Sequence, residues 1–158
     1  MKRILAMATM LTVIGAAGVG LAAFKGSADV VKAAPAATAV KAKAGERVTF
    51  AIEVAIEDKW HIYAHGDSNF IGVDLKPADT FPLEDLQATY PKGHEGEFFG
   101  EPVWMIAGTE HIEASALVPA GMAAGEHPLE FGVTVQACDD KTCLAPVDLP
   151  VTIKLVVE

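Results

Sequence analysis

Residues 47 to 57 alternate strictly. Val48, Phe50, Ile52, Val54 and Ile56 are apolar, and Arg47, Thr49, Glu53 and Glu57 fall between them. A period of two puts the apolar set on one face of an extended chain and the polar set on the other, which is the signature of a half-buried strand. The pattern then recurs along the chain. Residues 59 to 64 put Trp60, Ile62 and Ala64 inward and turn His61 and Tyr63 to the opposite face. Ile112, Ala114, Ala116 and Val118 form another inward set, followed by Leu129, Phe131, Val133 and Val135, and finally by Val147, Leu149, Val151, Ile153 and Leu155. Proline and glycine interrupt these runs at Lys76-Pro77, Phe81-Pro82, Tyr90-Pro91-Lys92-Gly93, Pro119-Ala120-Gly121 and Gly125-Glu126-His127-Pro128. Short strands at regular spacing with no long helical period predict an all-β, antiparallel β-sandwich. Pro150 inside the last run predicts an edge or a bulge there.

The chain has 158 residues and opens on Met1-Lys2-Arg3, followed by an uncharged apolar run from Ile4 to Phe24. Gly26-Ser27-Ala28 then fits a small-x-small cleavage site, so residues 1–28 read as a secretory signal. An uncleaved anchor is the alternative, since roughly 20 apolar residues can span a bilayer. The run is mostly Ala, Gly, Met and Val, which favours cleavage, and no cysteine closes it, which excludes lipoprotein processing. Residues 29–43 are rich in alanine and read as a linker and the approach to the first strand. Residues 44–158 remain for a single domain with one modest core. Losing Lys2, Arg3 and Lys25 with the leader takes the net charge from −9 to −12. So acidic a surface repels phosphate backbones and anionic lipid heads, so no nucleic acid partner is expected.

The chain has two cysteines, Cys138 and Cys143. In an exported protein such a pair either staples the fold or exchanges electrons. Closing so small a loop removes about 2 kcal/mol of chain entropy, against more than ~4 kcal/mol for a hundred-residue loop. A pure staple would better join distant strands. Continuing the parity of Leu129–Val135 puts Cys138 on the side of Glu130, Thr134 and Gln136, off the core, and predicts an accessible thiol. Asp139 and Asp140 beside it disfavour the thiolate, and Lys141 offsets them in part, so the isolated pair should be a slow nucleophile. A relay that reacts only with a docked partner would behave so; a static bridge tying a hairpin remains open.

His94-Glu95-Gly96-Glu97-Phe98-Phe99-Gly100 sets two adjacent aromatics in a polar stretch between glycines. Either an aromatic plugs one end of the sandwich, or the segment is a mobile apolar flap over a reactive group, with Gly96 and Gly100 as permissive points. Five histidines raise a metal reading, in which His61, His65, Cys138 and Cys143 would hold zinc. A strand separates residues four apart by about 13 Å, so those histidines could meet only if the chain turned after Ala64.

Three segments in order resemble a known family, the N-terminal periplasmic domain of the bacterial thiol:disulfide interchange protein DsbD (a disulfide bond corrector-like domain). They are Asp58-Lys59-Trp60-His61-Ile62-Tyr63, Glu97-Phe98-Phe99-Gly100, and Val135-Gln136-Ala137-Cys138 with Cys143-Leu144-Ala145-Pro146. The resemblance covers roughly residues 40 to 155. It implies an immunoglobulin-like sandwich with a redox-active pair, in which Cys143 forms the mixed disulfide and Cys138 resolves it. Phe98 would be the cap shielding the pair, and Tyr63, Glu97 and His61 would line the site. Four residues separate the cysteines here, where the best-known members have five. His61 stands where an aromatic hydroxyl is typical, and Gly96 where a carboxylate is.

The expectation is therefore a periplasmic thiol-disulfide oxidoreductase domain with no cofactor and no bound metal. It would relay reducing equivalents to thioredoxin-like periplasmic oxidoreductases. The chain ends at Glu158 without a multi-helix portion, so a separate membrane-embedded thiol reductase is expected to supply the electrons. Two other classes stay open: a non-catalytic exported binding module with a structural disulfide, and a metal-binding periplasmic protein.

Overall fold

The computed structural model describes residues 25–67 and 69–158. The expected leader lies, up to Phe24, outside the described residues. A 3-10 turn at Ser27–Asp29 precedes eleven strands: β1 (Val31–Pro35), β2 (Ala39–Ala42), β3 (Arg47–Ile56), β4 (Ile62–Tyr63), β5 (Asp74–Pro77), β6 (Glu84–Thr89), β7 (His94–Phe98), β8 (Glu101–Ile106), β9 (Thr109–Leu117), β10 (Gly125–Val135) and β11 (Val147–Val157). One sheet runs β1-β3-β9-β6, the facing sheet β2-β11-β10-β5, and a small third sheet β4-β8-β7. All strand pairs are antiparallel except β2 with β11, which is parallel.

The alternation dictates the core. Val48, Phe50, Ile52, Val54 and Ile56 of β3 are all buried, as are Ile112, Ala114 and Ala116 of β9, Leu129, Phe131, Val133 and Val135 of β10, and Leu149, Val151, Ile153 and Leu155 of β11. Phe50 and Phe131 meet across the two sheets with ring centroids 5.3 Å apart. Fully burying each such side chain is worth about 1.5–3 kcal/mol, so these faces supply most of the drive to fold. Pro150 is tolerated because β2 pairs only with Lys154–Val157, leaving the Pro150 stretch of β11 open on that side.

The expected linker is corrected. Residues 31–35 and 39–42 are strands on two different sheets, and the chain crosses from one sheet to the other between them. Val30 and Val31 are buried, and Ala33 packs against the core. Alanine fills these positions with little hydrophobic signal, and Pro35 fits because β1 is an edge strand. The boundary expected at Ala28 also cuts through the folded unit. Ser27 is buried, its hydroxyl donates to the Ala145 carbonyl at 2.7 Å, and it accepts from the Ala137 amide at 3.0 Å.

Candidate functional site

The two cysteines are joined in a disulfide. Cys138 follows the end of β10 and pairs on one side with His61, through His61 N–H to the Cys138 carbonyl (3.0 Å) and Cys138 N–H to the His61 carbonyl (2.9 Å). Within the loop, the Asp139 amide donates to the Thr142 carbonyl at 2.9 Å. The Asp139 carboxylate accepts from the amides of Lys141 and Thr142, both at 2.8 Å. These two donors hold its carboxyl below the usual carboxylate range. Asp139 thus spends its charge folding the loop. The stems are pinned as well, by Leu144 N–H to the Ala137 carbonyl (2.8 Å), by the Gln136 side-chain amide to the Leu144 carbonyl (3.2 Å), and by Ser27 bridging Ala137 and Ala145.

Parity holds in one respect and fails in another. Cys138 does leave the main core and joins a second apolar cluster with Tyr63, Phe98 and Val103. It is not accessible, however: its exposure is 0%. The third sheet covers the face that parity left open. Cys143 lies on the rim of the same cluster and is only partly buried.

The segment expected as a flap loop is a hairpin. β7 and β8 are joined by Phe99 and Gly100, with φ of 51° and 86°, the left-handed pair that a tight two-residue turn requires. Gly100 suits that backbone. Gly96 serves another purpose: a Cβ there would come within 2.8 Å of the Met105 sulfur, so the missing side chain makes room for Met105. Phe98 closes over the cluster and is buried, whereas Phe99 beside it is 80% exposed. Glu97, expected to line the site, is exposed on the face of β7 opposite Phe98. The structure does not bring it to the sulfurs.

Tyr63 and His61 are brought in. Tyr63 is fully buried, stacked on Phe70 at 4.3 Å and edge-on to Phe98 at 6.2 Å. Burial, with Asp67 nearby, pushes its phenol up to about 12. His61 is buried edge-on to Tyr63 and Phe98, at 5.5 and 6.3 Å. Desolvation lowers its imidazole below the ordinary value, despite Asp140 and Asp139 acting the other way. Among the described residues, neither His61 Nε2 nor the Tyr63 hydroxyl finds a hydrogen-bond partner. Phe70 was missed from sequence. Its neighbours Asp67 and Asn69 read as turn formers, and only the oddity of an aromatic within that turn marks it. Asp67 Oδ1 accepts from the amides of Asn69 and Phe70, and so delivers the ring to the cluster.

The zinc set considered from sequence is not assembled. The cysteines are bonded to each other, and His65 is stacked on Tyr90 at 3.8 Å with Nδ1 3.0 Å from the Val73 carbonyl. Among the described residues no three His, Cys, Asp or Glu side chains gather as metal ligands. No helix among them is long and apolar enough to cross a membrane.

The chain is similar to the N-terminal periplasmic domain of ScsB from Proteus mirabilis, with 14% identity and a TM-score of 0.54, over 76% of this chain but 44% of that one. This chain therefore spans less than half the length of that structure, and at this identity the likeness is one of fold. The N-terminal domain of Neisseria meningitidis DsbD in the reduced form matches with 24% identity and a TM-score of 0.42, over 78% of this chain and 83% of that one. None of the curated proteins matches the chain by sequence. The family model described as "Thiol:disulfide interchange protein DsbD, N-terminal" matches residues 27–152, a span that holds both faces of the sandwich, the aromatic cluster and the cysteine loop, and the chain belongs to that family.

Proposed function

We propose that this is an exported, periplasmic domain that relays reducing equivalents through the Cys138–Cys143 pair. Its electrons would come from a separate membrane-embedded thiol reductase and pass to thioredoxin-like oxidoreductases. The observation that supports this most is the unequal burial of the two cysteines beneath Phe98, with Cys138 sealed and Cys143 at the rim. A donor thiolate attacks Cys143 Sγ, the Cys138–Cys143 bond breaks, and Cys138 leaves with the electron pair as a thiolate. A second donor thiolate then attacks the donor sulfur of the mixed disulfide and releases Cys143. The domain gains two electrons and two protons, and the donor becomes a disulfide. Delivery to an acceptor disulfide reverses these steps. Phe99 and Ile71, exposed next to the buried Phe98 and the partly buried Phe70, give a partner an apolar contact beside the lid.

One set of observations favours a static bridge: the hydrogen bonds that pin the loop on every side. The reduction potential separates the two readings. Equilibrating the protein in a dithiothreitol or glutathione series and counting thiols by alkylation and mass should give a value between about −180 and −270 mV, among exchange proteins. A value below about −300 mV is that of a structural disulfide and would sink the relay.

A further inference from the structure

His61 and Cys138 face each other directly, exchanging both backbone hydrogen bonds across an antiparallel bridge. Opposed residues send their side chains to the same face with Cβ atoms about 5 Å apart, so the imidazole and the Cys138 sulfur share one apolar chamber. Among the described residues, two buried side-chain polar atoms lack partners, His61 Nε2 and the Tyr63 hydroxyl, and both are in this chamber. A buried polar atom left unpaired in a native structure calls for an explanation. For His61 Nε2 the oxidised pair gives a reason: a disulfide sulfur carries no proton to offer it. Reduction gives Cys138 a thiol hydrogen on the face it shares with His61, a donor that the oxidised pair lacks.

Resting on the relay reading above, we infer that His61 is the base that takes the Cys138 proton when that thiol closes the disulfide. In the step, His61 Nε2 accepts the proton as the Cys138 sulfur attacks Cys143 Sγ in the mixed disulfide. The Cys138–Cys143 bond forms, and the partner sulfur leaves with the electron pair of the broken bond. The imidazolium then returns its proton to solvent or to the departing thiolate. A base is needed because a thiol in apolar surroundings is held well above its ordinary pKa of about 8.5. The groups facing His61 are Asp139 and Asp140 on the cysteine loop, His94 on β7, and Tyr63 on its own strand. Tyr63 cannot serve as the base, since its hydroxyl keeps its proton through neutral pH. Desolvation keeps His61 neutral at neutral pH, the form able to accept.

The test mixes the reduced protein with glutathione disulfide, quenches with acid at intervals, and resolves dithiol, glutathionylated and disulfide forms by mass. Closure of the glutathionylated form should hold a plateau above the His61 ionisation and fall tenfold per pH unit below it. In His61→Phe and His61→Gln, closure at pH 7 should be at least tenfold slower and rise tenfold per pH unit without a plateau, while the first glutathionylation is unchanged. A wild-type profile with no plateau overturns the assignment even if the variants fold poorly. So do variants that close at the wild-type rate with the wild-type profile. A wild-type protein that never forms or never closes the mixed disulfide sinks the relay reading itself, and His61's role with it.

Discussion

At the scale of single residues, His61 links the site to stability as well as to chemistry. Its folded-state imidazole binds a proton less readily than the unfolded one, because burial penalises the charged form. The unfolded chain therefore holds more protons than the folded one as pH drops below about 6.5. The stability that neutral His61 allows is full above that value and is lost as pH falls toward its lowered folded-state value. Urea midpoints at pH 7.5 and pH 5 should differ more in the wild-type protein than in His61→Phe, which has nothing to protonate there. Equal differences in the two proteins would mean that His61 reaches solvent freely. The identity of this residue was legible in sequence, and so was its face, since Trp60, Ile62 and Ala64 pointed the other way. Its burial was not, because the covering strands are remote in the chain.

At the scale of elements, the β7–β8 hairpin is what makes the chamber. Phe98 and Val103 close over Cys138, with Phe70, Met105 and Cys143 at the edge. Removing a buried phenylalanine side chain costs about 3–5 kcal/mol in a well-packed core. Losing even 1.4 kcal/mol of lid closure would raise the open population about tenfold. Phe98→Ala should therefore speed dithiothreitol reduction of the oxidised protein by roughly tenfold or more, with little change in amide protection of β3, β9, β10 and β11. An unchanged reduction rate would show that Phe98 does not govern access to the disulfide. This element is also where the sequence was hardest to read. The two main sheets announce themselves because Val48–Ile56 and Leu129–Val135 alternate without interruption. The third sheet has a two-residue strand in β4, a glycine at Gly96 where a side chain would mark the face, and Pro102 at the start of β8. Its pairing of β4 with β8 joins segments about 40 residues apart, Ile62 with Ile106 and Tyr63 with Met105, and no local period encodes it. The direction of Glu97 was hidden for the same reason: a loop leaves it open, whereas a strand sends it to the face opposite Phe98.

At the scale of the whole molecule, the start of the folded chain is tied to the cysteine loop. Ser27 bonds Ala137 and Ala145, 110 and 118 positions away, and these flank the disulfide on its two sides. Lys25 lies over the Trp60 ring at 5.2 Å and within 3.8 Å of Glu57, on the approach to His61. A cut after Ala28 would strip off both residues and leave the buried Ala137 amide without its acceptor, a loss of about 1–3 kcal/mol. Sequence alone could not weigh this, since Gly26-Ser27-Ala28 satisfies the small-x-small rule by composition and nothing near it hints at partners beyond residue 136. An upstream triplet, Gly20-Leu21-Ala22, satisfies the same rule. Cleavage after Ala22 would leave Ser27 in place and keep the loop pinned. Intact mass of the exported protein should therefore correspond to a chain that retains Ser27, and a version beginning at Asp29 should unfold at a lower urea concentration. An exported chain that begins at Asp29 with undiminished stability would mean that the serine bridge contributes nothing to holding the cysteine loop.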